Sequence, residues 1–380
     1  MDFRYTEEQL ALQETLQRFI ERDYGFEHRR ALAATETGFS AEAWAQFAEL
    51  GLLALPLPAD YGGLGGNAVD VMAVMELFGR GLLLEPYVST VVLCGGIIAA
   101  GADEALKGSL LPRVASGTLK LALGALEPGG RYSLAHVATR AVRDGDGWRL
   151  SGGKSVVLDA PAADLLLVSA RSGGAADDAQ GIGLFLVPRT AAGLRLTPYA
   201  TQSGGRAADL ELSSVRVEAD AVVGEPGAAL ALIERGVDAA LAALCGEASG
   251  IVAALNEATL GYLKSRKQFG VPIGMFQALQ HRMADMYVAG EQIRSMAILA
   301  ATHADAADAA ARARACAAAK AYIGAAARFV GQQAVQLHGA MGVVDELIVS
   351  HYFKRLTMID MTYGDADFQL ARFSDTGAGA

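Results

Sequence analysis

Cysteine is scarce in this chain of 380 residues, and the three copies, Cys94, Cys245 and Cys316, lie far apart. Their spacing gives neither a zinc-ligand set nor a CxxC redox pair, so they read as buried thiols. Histidine is thin as well, with six copies and no HxxxH spacing, which leaves no metal site to expect. Long apolar runs are missing. The least polar stretch, residues 87–102, is shorter than a bilayer requires and rich in Gly and Ala, so it predicts a buried helix and no membrane span. Positive charge is in deficit, with 32 Lys and Arg against 42 Asp and Glu and a net charge of −10. That balance argues against a general binder of nucleic acid or anionic membrane, while a local basic patch could still hold a small anion. The opening MDFRYTEEQL carries acidic residues where a secretion signal would carry a basic segment and an apolar core, and on that basis the chain is expected in the cytoplasm.

What is present falls into three stretches of different period. The length suits two or three domains, or one domain with a large insertion. The 52% hydrophobic content, much of it alanine, favours packed helices. Residues 1–120 repeat apolar side chains at three- and four-residue steps and begin with a capping-box signature at Thr6. Within them the loop PLPADYGGLGGNAVD carries Gly62, Gly63, Gly65 and Gly66, but no strand leads into it as a dinucleotide fingerprint demands, so it reads as a tight turn. Residues 121–225 are short β-rich runs broken by Gly, Pro and Asp, with DGDG as a hairpin signal and SGGAADDAQG as a hairpin tip. Residues 226–380 return to helix, in one segment through Arg266, a second from Met275 to His303, a third from Asp305 to His338 and a fourth through ELIVSHYFKRLTMIDM. The expected fold is mostly α with an inserted β-domain: an N-terminal helical domain, a middle β-barrel or sandwich, and a C-terminal four-helix bundle.

Five segments, PADYGGLGG, ALEPGG, LSGGKSVVLDAPAADLLLV, RKQFGVPIGMFQALQHRMADM and QLHGAMGV, occur in the order found in the acyl-CoA dehydrogenase family, and the chain resembles that family over nearly its whole length. The resemblance implies FAD bound at a subunit interface. It assigns Arg266 and Gln268 to the pyrophosphate of a neighbouring subunit's FAD and Phe269 to the adenine side. A guanidinium fork suits a diphosphate, and Gly270, Pro272 and Gly274 fix a turn that lets backbone approach. Gln277 and Gln280 lie three apart on one helix face, either near the cofactor or as ordinary surface amides. In QLHGAMGV, Gln336, Gly339 and Gly342 match the family's Gln-x-x-Gly-Gly-x-Gly pattern with Ala340 in place of the middle glycine; Gly339 also reads as a helix C-cap. In the β-domain, Leu126 stands where the family's Thr-Glu-Pro-Gly loop has Thr, so backbone around Leu126 and Glu127 would serve the flavin. Val156 and Leu158 stand at the Trp and Thr positions of Lys-x-Trp-Ile-Thr-Asn.

On this resemblance the reaction removes the α-proton of an acyl-CoA thioester with a carboxylate while the β-hydride goes to flavin N5. Most members supply the carboxylate as Glu in a Tyr-Glu-Gly-Thr segment near the C-terminus. Here Tyr363 stands at that position and Asp365 is displaced and shorter. Glu247, on the first bundle helix in ALCGEASG, is the carboxylate assigned to catalysis: small neighbours leave room for a ligand, and an apolar face suits a proton-abstracting base. A Glu paired with an arginine between subunits is the alternative, and Asp238 is the second candidate base. Arg131 could meet a dicarboxylyl chain, a CoA phosphate or solvent. The pattern looks like the small subunits of pimeloyl-CoA-type dehydrogenases. The implied partners are an acyl-CoA, an electron-transfer flavoprotein, and further subunits in a homo-oligomer or in a heterotetramer with a larger dehydrogenase chain. The alternatives are a non-catalytic subunit that lends Arg266 and Gln268 to a partner's FAD, or the same fold used as a flavin oxidase or monooxygenase.

Overall fold

A computed structural model describes residues 4–376. Its helices are α1 (Glu7–Asp23), α2 (Phe26–Ala34), α3 (Ala41–Glu49), α4 (Ala68–Gly81), α5 (Gly96–Gly101), α6 (Glu104–Ala115), α7 (Leu230–Ser265), α8 (Gln277–Ala304), α9 (Ala309–His338), α10 (Ile348–Met361) and α11 (Ala366–Asp375). Between them lie strands β1 (Leu121–Gly124), β2 (Arg140–Asp144), β3 (Gly147–Leu158), β4 (Leu165–Arg171), β5 (Ile182–Pro188), β6 (Leu194–Ala200) and β7 (Arg206–Val217), and a small hairpin of β8 (Lys267–Gln268) and β9 (Val271–Pro272). Helical N- and C-terminal domains around an inserted sheet are thus present as expected. By backbone contacts the chain forms two compact units. Of the described residues, one holds 4–31, 68–83 and 241–376; the other holds Leu32–Asn67 and Leu84–Ala240.

The sheet unit is built on one curled seven-stranded sheet in the order β1-β4-β2-β3-β7-β6, with β5 paired to β4. β1 runs parallel to β4, and the remaining long ladders are antiparallel. DGDG makes the expected two-residue turn: Asp144 pairs with Gly147, and Gly145 takes a φ of 65°, which glycine adopts without a Cβ penalty. Alternation along the strands buries Trp148, Leu150, Phe185 and Val215, with the Trp148 and Phe185 rings edge to face at 5.5 Å. Residues 87–102 form the expected buried helix, opening with a π-helical run, Val88–Gly95, that leads into α5. The glycine loop is a tight turn: a Cβ on Gly63 would stand 1.9 Å from the Leu57 carbonyl oxygen.

In the helical unit, Thr6 caps α1 in the reciprocal box with Gln9. α9 packs on α8, α10 and α11, so α11 is a fifth helix beyond the four read from the sequence. α7 is long and apolar enough to cross a bilayer, yet 83% of its most apolar window is buried, as in the core helix of a folded protein. α4 crosses α7 with backbone nearly touching: a Cβ on Gly79 would lie 2.1 Å from the Glu247 carbonyl oxygen, and one on Gly250 would lie 1.8 Å from that of Glu76. The small residues of CGEASG make that approach possible.

Two histidines in this unit have their pKa lowered, chiefly by burial. Arg29 Nη1 stands 2.9 Å from His351 Nδ1, and since arginine has no acceptor the ring proton must be on Nε2, donating 2.9 Å to the Asp345 carbonyl oxygen. Burial and the Arg29 charge push the His351 pKa down against the pull of Asp345, with Lys354 also repelling the imidazolium. His338 is lowered by burial despite its contact with the Ala334 carbonyl oxygen. A histidine depressed in the fold contributes stability above its unfolded pKa of about 6.5 and loses it as pH falls through the folded value. The thermal midpoint, followed by circular dichroism, is therefore expected to drop on acidification below about pH 6.5, and His351→Gln should flatten that dependence.

Candidate active site

The opening motif of the bundle folds into a surface hairpin. α7 ends at Ser265, β8 and β9 pair Lys267 with Pro272 and Gln268 with Val271, and a 3-10 turn, Ile273–Met275, leads into α8. Phe269 and Gly270 take φ values of 54° and 83° at the tip, where the glycine makes the turn cheap. Arg266, Gln268 and Phe269 are all exposed, Phe269 by 90%, a large apolar ring presented outward with Phe276 edge-on beside it at 6.1 Å. Gln280 is a structural amide: its Nε2 donates 2.8 Å to the Gly274 carbonyl oxygen and secures the turn.

The second bundle motif lies beside the first. Tyr262, one turn before Arg266, stacks on His338 of QLHGAMGV with ring centroids 4.4 Å apart. Gln336 and Gly339 are exposed, and Gly339 caps α9 with its N–H to the Gln336 carbonyl oxygen, as expected. Gly342 is buried, and a Cβ there would lie 2.6 Å from the Val335 carbonyl oxygen, so its smallness serves the fold-back of the 3-10 turn Gly339–Val343 on α9. Exposed guanidinium, amide and aromatic groups on a glycine turn form a donor set that fits a dinucleotide diphosphate.

In the sheet unit, Leu126 is half-buried in the loop after β1, and its carbonyl oxygen accepts from Ser155 N at 2.9 Å. Ser155 and Val156 form a bulge in β3, between the register points Lys154 and Val157. Val156 has a φ of 53° and is 49% exposed; a β-branched residue there is an outlier, held by its N–H to Asp209 Oδ1 at 2.9 Å. Leu158 closes β3 half-buried. Glu127 turns inward. Its carboxylate, 4% exposed, accepts from Ala138 N at 2.7 Å, Thr139 N at 3.1 Å and Lys154 Nζ at 2.5 Å. Burial pushes this carboxyl up, and Lys154 and the amides more than offset it, leaving it below the usual range. Burial pulls the Lys154 ammonium down to about 8 although Glu127 opposes it. The Glu127 side chain therefore supports the loop.

Glu247 departs from its expected surroundings. Its carboxylate is buried, but Arg355 on α10 engages both oxygens, Nε to Oε1 at 2.5 Å and Nη2 to Oε2 at 2.6 Å. The small neighbours that suggested room for a ligand are spent on the crossing with α4. Asp365 caps α11 by accepting from Phe368 N, and Tyr363, at φ 54°, lies in a turn that buried Lys320 fastens through the carbonyl oxygens of Asp360 and Gly364 at 2.7 and 2.8 Å. Asp238 is buried on α7. Cys94, Cys245 and Cys316 are buried thiols, and no group of metal ligands occurs among the described residues. Sequence reading missed Arg355 and Lys154 as partners, because each meets its carboxylate only through the fold.

Comparison with known proteins matches residues 6–118 to the model of the acyl-CoA dehydrogenase N-terminal domain, 122–218 to the middle domain and 230–376 to the C-terminal domain. The acyl-CoA dehydrogenase FadE12 of Mycobacterium tuberculosis is 31% identical over 90% of this chain and 89% of its own. Among solved structures, a variant of the Tcur3481–Tcur3483 steroid ACAD superposes with a TM-score of 0.88 at 31% identity, covering 98% of this chain and 99% of that one. The ChsE4–ChsE5 complex from Mycobacterium tuberculosis does so with a TM-score of 0.90 at 27% identity over the whole of both chains.

Proposed function

Because the chain belongs to the acyl-CoA dehydrogenase family of FAD-dependent oxidoreductases, we propose that it carries out α,β-dehydrogenation of an acyl-CoA thioester and passes the electrons to an electron-transfer flavoprotein. The observation that carries this reading is the pair of prepared surfaces on this chain: the hairpin with Arg266, Gln268 and Phe269 exposed, and the strained, exposed bulge at Val156 beside the Leu126 loop. FAD, when bound, supplies the acceptor for the hydride leaving Cβ. The residues of this chain do the rest. Arg266 and Gln268 offer donors to the diphosphate of a neighbouring subunit's cofactor, with Phe269, Gln336 and Gly339 beside them. Backbone at Leu126 and Glu127 and the Leu158 end of β3 orient the ring in the chain's own sheet. Glu247 is the assigned base: to take the α-proton it must first release one oxygen from Arg355.

The bidentate hold of Arg355 on Glu247 favours a second reading, in which this chain is the FAD-sharing subunit of a mixed oligomer with a larger dehydrogenase chain and does no chemistry itself. The ChsE4–ChsE5 neighbour, a complex of two named components, makes such an assembly a concrete model. The visible spectrum of the purified chain, before and after anaerobic addition of acyl-CoA thioesters from short straight chains to steroid side chains, separates the two. A flavin band that one thioester bleaches is the expected result, with Arg266→Ala lowering the bound FAD per chain. A protein that stays colourless with added FAD moves catalysis to the partner.

A further inference from the structure

A second cluster of charged side chains lies inside the sheet unit, where family motifs alone give it no task. Lys154 is 1% exposed, Glu127 5% and Ser169 fully buried, and they come from β3, the loop after β1, and β4. Lys154 Nζ donates to Glu127 Oε1 at 2.5 Å and to Ser169 Oγ at 2.8 Å. The other Glu127 contacts are the Ala138 and Thr139 amides just before β2, and Thr139 Oγ1 donates at 3.2 Å to the Gly153 carbonyl oxygen next to Lys154. Two ions in an apolar sheet core are costly to desolvate, and apolar residues of similar volume would serve packing as well or better. What the pair does that apolar residues would not is fix direction. It joins the Leu126–Glu127 loop to the start of the β3 bulge, and the Ser155 N to Leu126 O bond closes the same link on the outer side.

We infer that Glu127, Lys154 and Ser169 are positioning residues for the flavin ring: none of them touches it, and together they set the backbone of Leu126 and of the Ser155–Val156 bulge at a fixed spacing. This rests on the flavin reading above. Supporting residues one layer behind a binding site change affinity by about tenfold or more when removed around metal ligands, and a similar factor is expected here.

The test compares the wild-type protein with Lys154→Met and with the double variant Glu127→Gln, Lys154→Met, each stripped of flavin and titrated with FAD by flavin fluorescence and visible absorbance. The single variant leaves a buried carboxylate without its cation and is expected to melt early. The double variant removes both charges, keeps an acceptor for the two amides, and is expected to fold, as checked by circular dichroism. In it the FAD dissociation constant should rise about tenfold and the position and fine structure of the visible band should shift. A merely structural role would lower the melting temperature and leave the band of bound FAD in place. A folded double variant with the wild-type dissociation constant and band overturns the inference. If wild-type protein takes up no FAD in the same titration, the flavin reading itself fails, and the positioning role falls with it.

Discussion

Arg355→Met is expected to cost the chain about 3 kcal/mol of stability, read as a fall in the denaturant midpoint at unchanged slope. The reason is asymmetric. Glu247 is 4% exposed and Arg355 27%, so deleting the arginine strands a carboxylate that water reaches poorly. The partial exposure of the arginine places the loss at the lower end of the range for broken buried pairs. Adding Glu247→Leu to Arg355→Met should recover most of it, because no charge is then left alone, and the recovery measures the coupling between the two residues. Glu247→Gln carries the functional half of the experiment. If Glu247 is the base, that variant keeps its fold and loses thioester-dependent bleaching of the flavin. If Glu247 is a strut, Glu247→Gln bleaches like the wild type.

The pair also shows where sequence reading stopped. Local signals carried through: TEEQ capped α1, DGDG made the hairpin between β2 and β3, and the apolar stretch at 87–102 became a buried helix. Each is decided by residues within a few positions of one another, where propensity and turn geometry act. The environment of Glu247 is decided at a distance of 108 residues by Arg355, and by α4, whose Gly79 meets the same turn of α7. From sequence, CGEASG offers smallness without saying what fills the space, and here another helix does. Glu127 teaches the same lesson. ALEPGG marks a loop but not the direction of its acid, and the inward turn follows from Lys154, the one long cation that the β3 alternation sends into the core. The hairpin RKQFGVPIG was the most legible element of the site, because an exposed turn owes its form to its own glycines and proline.

Arg171→Met should have an effect of the same order or larger, about 3 to 5 kcal/mol, concentrated in the sheet unit. Arg171 is fully buried at the end of β4, and its guanidinium is spent on backbone carbonyls. Nε donates to Val137 at 2.9 Å, Nη1 to Gln180 at 2.6 Å, and Nη2 to Ala135, Ala176 and Asp178 at 2.9, 2.9 and 2.8 Å. One side chain thus ties the strand to two loops. Methionine fills much of the volume and satisfies none of those oxygens. Lysine supplies a point charge with three donors and lacks the planar fork, so Arg171→Lys should recover less than half of the loss. The consequence reaches the proposed flavin loop. Val137 and Ala135 lead directly into Ala138 and Thr139, whose amides hold Glu127, so loosening the first pair frees the second. Hydrogen exchange is the discriminating measurement: in Arg171→Met the amides of residues 138 and 139 should lose protection together with those of the 173–181 tip, while the α9 core in the other unit keeps its own. Protection lost evenly across both units would mean global destabilisation and would remove Arg171 as the anchor of this loop.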